Sequence, residues 1–108
     1  MRGGDLDRRI QFRRAAETDD GLGIVQTWGD HGLPVWASVL PVSDGERWRA
    51  GEVAAHITAR FTVRWSQFAA GITPKDRLIY KDAEHDIFSV KEIGRREWIE
   101  ITAAARAD

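Results

Sequence analysis

The sequence predicts a mainly β protein: a small antiparallel β-barrel of about six or seven strands, with one short α-helix inserted between two of them. Three observations carry that expectation. From His56 to Trp65, apolar Ile57, Ala59, Phe61, Val63 and Trp65 alternate without a break with His56, Thr58, Arg60, Thr62 and Arg64. Such alternation gives a strand one buried face and one wet or partner-facing face. Short apolar runs are divided by turn chemistry roughly every eight to twelve residues, the spacing of a small sandwich or barrel. Finally, Ser43 and Glu46 are spaced as a capping box, in which each side chain accepts from the other's orphan backbone N–H. The helix it starts has a thin apolar stripe of Trp48, Gly51 and Ala55.

The elements follow in order. After a polar leader at residues 1–7, Arg8 to Arg13 reads as a strand with Ile10 and Phe12 inward and Arg9, Gln11 and Arg13 outward. Ala16 to Gly23 reads as a loop, because Glu17, Thr18, Asp19, Asp20, Gly21 and Gly23 offer turn chemistry and no core. Ile24 to Trp28 is a short second strand, which makes residues 8–28 a loose hairpin with a long tip. Gly29 to Pro34 turns into a strand from Pro34 to Val42. There Val35, Ala37 and Val39 occupy one face while Trp36, Leu40 and Val42 load the other, so both faces want cover. The capped helix and the alternating strand come next. Ser66 to Lys75 reads as a loop closed by Gly71 and Pro74, followed by a strand from Arg77 to Lys81 and a turn from Asp82 to His85. A strand from Asp86 to Ile93, a tight turn through Gly94 and a last strand from Arg96 to Ala103 complete the sheet, and residues 104–108 are expected to fray. Parity fails at Ile87, Phe88 and Val90, and again at Trp98, Ile99 and Ile101; each place needs a bulge or cover on both faces.

A chain of 108 residues has room for one domain, residues 1–108, whose folding hides roughly two-thirds of the unfolded surface. Sixteen basic and seventeen acidic residues leave a net charge of −1, without the basic excess of a dedicated nucleic-acid binder. The absence of cysteine removes disulfides, thiolate nucleophiles and thiolate metal sites. No apolar run approaches the roughly 20 residues that cross a bilayer, so a soluble, unprocessed chain without membrane partners is expected.

No catalytic grouping emerges. His31, His56 and His85 are not paired at metal-ligand spacing, and Asp19, Asp20 and Gly21 lack the alternating ligands and closing glutamate of a calcium loop. Gly21, Leu22 and Gly23 are too few and too acidic in context to cradle a phosphate. The serines and threonines have no neighbouring base that the sequence reveals as an activating partner, so nucleophilic catalysis has no positive support. Catalytic, metal and cofactor residues are therefore expected to be none, and an enzyme is set aside. Two surface features remain. Apolar residues on the outer face of a small barrel have the pattern of an oligomer interface, with Trp28, Trp36, Leu40, Trp48 and Trp98 as candidates. Arg8, Arg9, Arg13, Arg95 and Arg96 cluster toward the two ends of the sequence and are candidates to face DNA or another polyanion. Solvated strand faces and turns are the simpler explanation of them. The same arginines with nearby aromatics also motivate a rival reading, a small nucleic-acid-binding β-barrel.

Taken in sequence, several pieces together resemble a family. They are Gly4, Asp5, Leu6, Asp7, Arg8, Arg9 and Ile10; Asp20 and Gly21 ahead of Trp28; Val35, Trp36, Ala37, Ser38 and Val39 followed by Pro41; the Glu46 helix; His56 to Arg64; Gly71, Ile72, Thr73 and Pro74; and Asp86 and Ile87 with Arg95, Arg96, Glu97, Trp98, Ile99 and Glu100. Their order and the chain length are similar to those of phage head-tail joining proteins, also called head closure, adaptor or stopper proteins, of long-tailed phages and gene transfer agents. The resemblance implies a β-barrel assembled as a dodecameric ring in the particle neck, after assembly in the bacterial cytoplasm. The ring's partners would be other copies of itself, the portal or adaptor ring above, and tail terminator or tail tube proteins below. Double-stranded DNA would touch it transiently and without sequence preference. It also implies a loop that gates the channel, with Ala16 to Gly23 and Ser66 to Lys75 as the long candidates. It leaves open whether this chain is a stopper or an adaptor.

Overall fold

A computed structural model describes residues 5–42 and 58–106. It contains β1 (Arg8–Asp19), β2 (Ile24–Asp30), β3 (Val35–Pro41), β4 (Ala59–Arg64), α1 (Gln67–Ala70), β5 (Arg77–Tyr80), β6 (Ala83–Ile93) and β7 (Trp98–Ala105). The helix expected after Ser43, with its capping box and Trp48, lies outside the described residues, as do His56 and Ile57.

All seven strands belong to one antiparallel sheet in the order β2-β1-β3-β4-β7-β6-β5. An added pairing of β1 with β5, through Gln11, Phe12 and Arg13, joins the sheet's far strand back to β1. Six strands thus close into a ring, which removes the open edges of a flat sheet. β2 is outside that circuit. Arg13 faces Asp30 on one edge of β1 and Arg77 on the other, so β2 and β3 share an edge of β1 in succession. β1 therefore starts in the ring and leaves it, pairing beyond Arg13 with β2 alone.

The ring forms because its inward positions are apolar and large. Phe12, Phe61, Ile10, Leu78, Ile101 and Val63 are the largest fully buried side chains. Phe61 meets Tyr80 edge to face at 5.5 Å, and Phe12 meets Phe68 at 6.0 Å. In so small a barrel, such aromatics fill most of the space that strand tilt leaves open. Inward parity of β1 and β4 is as expected, with Ile10, Phe12, Ala59, Phe61 and Val63 all buried.

Four local expectations are corrected, and the expected bulge is found. β1 continues through the residues read as a loop, reaching Asp19, and its turn to β2 is confined to residues 20–23. Backbone pairing extends this hairpin without any core side chain, which a search for apolar faces overlooks. Within Ser66 to Lys75, a four-residue helix forms, started by Ser66, whose hydroxyl accepts from the Ala69 N–H at 3.0 Å. The turn placed at Asp82 to His85 is really Lys81 and Asp82, both at positive φ (52° and 62°), as a two-residue hairpin with primed geometry requires. Neither residue is glycine or asparagine, so the usual signal is missing, and Ala83, Glu84 and His85 belong to β6. A bulge between Ile87 and Ser89 resolves the first parity failure: inward positions change from His85 and Ile87 to Val90, leaving Phe88 exposed. Lastly, the tail expected to fray from Ala104 is in the sheet through Ala105, which pairs with His85.

Among the described residues, two titratable groups are buried, in addition to the polar Thr62 and Thr102. Asp76 is 3% exposed and receives a bidentate pair from Arg14 at 2.8 and 2.9 Å, together with the Thr73 N–H at 2.9 Å. Burial acts to raise this carboxyl, but the hydrogen bonds from Arg14 and Thr73 and the positive charge of Arg14 outweigh it, holding it below the ordinary carboxylate range. The Arg14 guanidinium is correspondingly raised. His85 lies against Phe61, 5.6 Å between ring centres, and its Nδ1 is 2.9 Å from the Ala83 carbonyl. Burial pushes this imidazole below its usual range, against the opposing effects of the Ala83 carbonyl and Asp86.

Gly32 holds the entry to β3 for a steric reason. It takes a positive φ of 74°, and a Cβ there would stand 2.5 Å from the Phe68 ring. Phe68 in turn packs on Phe12 and His31, which ties α1 to the end of the ring where β1 departs.

Candidate functional site

Beyond Arg13, β1 and β2 form a two-stranded arm with the register Ala15 to Trp28, Glu17 to Gln26 and Asp19 to Ile24. Its tip is shaped by two carboxylates that accept from nearby backbone: Asp19 from the Gly21 N–H and Asp20 from the Leu22 N–H, both at 2.9 Å. These Asx turns, with Gly21 and Gly23 at positive φ, push Leu22 outward. Leu22 is 95% exposed and Ile24 73% exposed. No residue from Ala16 to Thr27 has more than slight burial. Soluble surfaces carry single exposed leucines routinely, but here two large aliphatic side chains stand exposed on one projecting tip.

At the start of β3, the closed ring presents a second surface. A groove of about 800 Å³ is lined by Leu6, Asp7, Pro34, Val35, Trp36, Arg64, Trp65 and Ser66. Arginines frame it. The Arg9 guanidinium lies 4.2 Å above the Trp36 ring, directly across the strand pair, and that of Arg96 lies 5.1 Å above Trp65. The same device recurs at Arg64 over Trp98 (5.4 Å) and Arg77 over Trp28 (4.0 Å). Each of the four described tryptophans therefore carries an arginine on its ring, a contact contributing about 0.5–1 kcal/mol where exposed.

This placement redistributes the expected residues. Of the interface candidates, Trp36 and Leu40 lie on the outer face of β3 at 50% and 61% exposure, as their parity requires. Trp28 and Trp98 are half-buried beneath their own arginines, and Trp48 is outside the described residues. The five candidate polyanion-facing arginines do not form one patch. Arg8 and Arg9 point to opposite faces because they are neighbours on a strand, and Arg8 lines a separate opening with Tyr80, Lys81 and His85. Arg13 is held at the base of the arm, donating to the Trp28 carbonyl at 2.8 Å, with Asp30 at 3.8 Å. Arg95 is exposed in the turn after Gly94, and Arg96 in that turn is bent over Trp65. Arg9 and Arg96 alone come to one place, the groove. Sequence reading missed Arg64 there, and it missed the arm's Leu22 and Ile24. The available signal was Leu22 itself, a large apolar residue between two glycines in an otherwise acidic stretch.

Among the described residues, no cluster of three or more histidine, aspartate or glutamate side chains could hold a metal ion. No helix of the described residues is long and apolar enough to cross a membrane. The surfaces on offer suit contact with other macromolecules.

A model of the phage head completion protein family matches residues 1–106. The chain belongs to that family. A protein of Shigella flexneri 2a, known from its solution structure, is similar over 100% of this chain and 99% of its own, at 27% identity and a TM-score of 0.79. A chain from the virion of a native gene transfer agent particle is similar over 94% of this chain and 96% of its own, at 26% identity and a TM-score of 0.64. No curated protein sequence matches. The family and the fold, a seven-stranded antiparallel sheet, agree with the resemblance read from the sequence.

Proposed function

We propose that this chain is a structural ring subunit of the head-tail junction, a stopper or head-closure component of a phage or gene transfer particle. In this reading, copies assemble into a dodecameric ring that extends the portal channel, retains packaged DNA and offers the tail a docking surface. Partners are the portal or adaptor ring on one side and tail terminator or tail tube proteins on the other. The chain performs no chemistry and uses no cofactor.

One observation carries the proposal beyond family membership. The barrel closes its own edges and fills its own core, yet it leaves apolar Leu22, Ile24, Trp36 and Leu40 facing outward. That surface gains stability only when another subunit covers it. A net charge of −1 suits a ring through which DNA slides without being gripped. The rival reading, a nucleic-acid-binding barrel, needs open aromatic faces for bases to stack on. Here the described tryptophan rings already lie under the protein's own guanidinium groups, which favours the ring.

Electron microscopy of the particle neck tests this. The expected result is a ring of this chain between portal and tail. Density for it only elsewhere in the particle, or absent from it, would reject the proposal.

A further inference from the structure

We propose that the tip of the arm of one copy seats in the groove beside β3 of the next copy, so that neighbouring subunits join tip to groove. This rests on the ring reading and supplies the contact that the ring requires.

Reach comes first. Val35, in the groove, pairs with Ile10 on β1, and the tip begins at Asp20, directly after that strand ends. Ten residues of extended strand separate the two by about 34 Å. A tip therefore cannot fold back into its own groove, and the occupant has to come from another molecule.

Chemistry comes second. Residues 15–30 contain four acidic side chains, Glu17, Asp19, Asp20 and Asp30, and no lysine or arginine. Asp30 is at the base, near Arg13; the other three are at or near the tip, and none of them has an ion-pair partner among the described residues. The groove is framed by three arginines, Arg9, Arg64 and Arg96. Of the carboxylates near it, Asp7, one of the lining residues, stands 3.8 Å from Arg8, and Glu92 accepts from the Trp65 indole N–H at 2.9 Å. Arg9, Arg64 and Arg96 have no carboxylate partner among the described residues and rest on tryptophan rings around the groove. An apolar tip ringed by carboxylates thus meets an apolar groove ringed by guanidinium groups, the arrangement that fixes register and rejects wrong partners.

Symmetry comes third. Tip and groove are different surfaces, so the contact is head-to-tail. Repeated contacts of that kind close into a ring when the rotation allows.

The chain has no cysteine, so the introduced thiols are the only ones it carries, and an immunoblot against the chain identifies species whose masses are multiples of its own. Particles are prepared with the chain carrying both Leu22→Cys and Pro34→Cys, treated with a short bis-maleimide, and run on a denaturing gel. The expected result is a ladder of dimers, trimers and larger species, with monomer alone from either single variant. Monomer alone from the double variant, when microscopy shows a ring of this chain in the neck, overturns the tip-to-groove contact and leaves the ring reading standing. Dimers from Leu22→Cys alone also overturn it, because they mean that tip meets tip. If the chain is absent from the neck, the ring reading fails, and the same gel on concentrated purified chain decides the contact by the same two results. Circular dichroism melting confirms that each variant folds, and Ile24→Cys with Leu33→Cys replaces any pair that does not.

Discussion

β1 belongs to two regions that differ in almost every physical respect. Its first half, Arg8 to Arg13, has partners on both edges within the ring and buries Ile10 and Phe12 completely. Its second half, Arg14 to Asp19, has one partner strand, and past Arg14 it buries almost nothing. An isolated two-stranded hairpin is marginal in water. The arm therefore stands on the ring and adds little to it. Stability is concentrated in the closed circuit of strands, while the arm is almost wholly exposed and carries Leu22 and Ile24 at its tip. A chain so divided can fold by itself, and in the proposed ring it would use assembly to hide what folding left exposed.

The largest expected effect breaks the ring. Phe61→Ala should cost about 3–5 kcal/mol, because a buried aromatic leaves a cavity that closed strands cannot collapse. Denaturant unfolding of the purified chain measures it.

Next is the junction between ring and arm. Asp76→Asn should cost about 1–3 kcal/mol by loosening the Arg14 pair and the Thr73 N–H bond. The carboxyl's folded value is below its unfolded one, about 3.9. Its contribution is therefore fully present above that pH and is lost as pH falls through the folded value. Stability measured against pH should fall less steeply in Asp76→Asn than in the unchanged chain below about pH 4.

A smaller effect concerns His85. Its imidazole is neutral inside the ring, and its folded value is below the unfolded value of about 6.5. The unfolded chain takes up the proton first as pH falls. The stabilisation is therefore full above about pH 6.5 and is lost between there and the folded value. His85→Phe, which keeps an aromatic ring against Phe61, should flatten the stability profile in that window, read by thermal melting.

The smallest effect on folding sharpens the contrast. Leu22→Ser with Ile24→Ser should change unfolding stability by no more than about 0.5 kcal/mol. Incorporation of the chain into particles, measured by immunoblot of the purified particle, should nevertheless drop sharply.

The two regions also differed in how legible they were. The ring announced itself through alternation, since a strand with one buried face writes its period into the side chains: Ile10 with Phe12, and Ala59 with Phe61 and Val63, were read correctly. The parity failure near Phe88 was legible as a demand for a bulge, and one is there. The arm was not legible, because its residues pair through backbone groups that every sequence possesses. Its acidic and glycine residues then read as loop. The hairpin turn at Lys81 and Asp82 was hidden for a related reason: the ladder on either side imposes positive φ on residues that do not advertise it. For the surface, Trp36 and Leu40 followed from parity alone. That the arginines would lie on the tryptophans depended on which strands become neighbours, as with Arg64 opposite Trp98, and no local pattern encodes that.

Hydrogen exchange of residues 16–27, compared between the purified chain and the assembled particle, tests most directly whether the arm is the half made for other molecules. Fast exchange in the free chain, strong protection in the particle, and little change at Phe61 and Ile101 are the predicted result. Equal exchange of the arm in both states would contradict it.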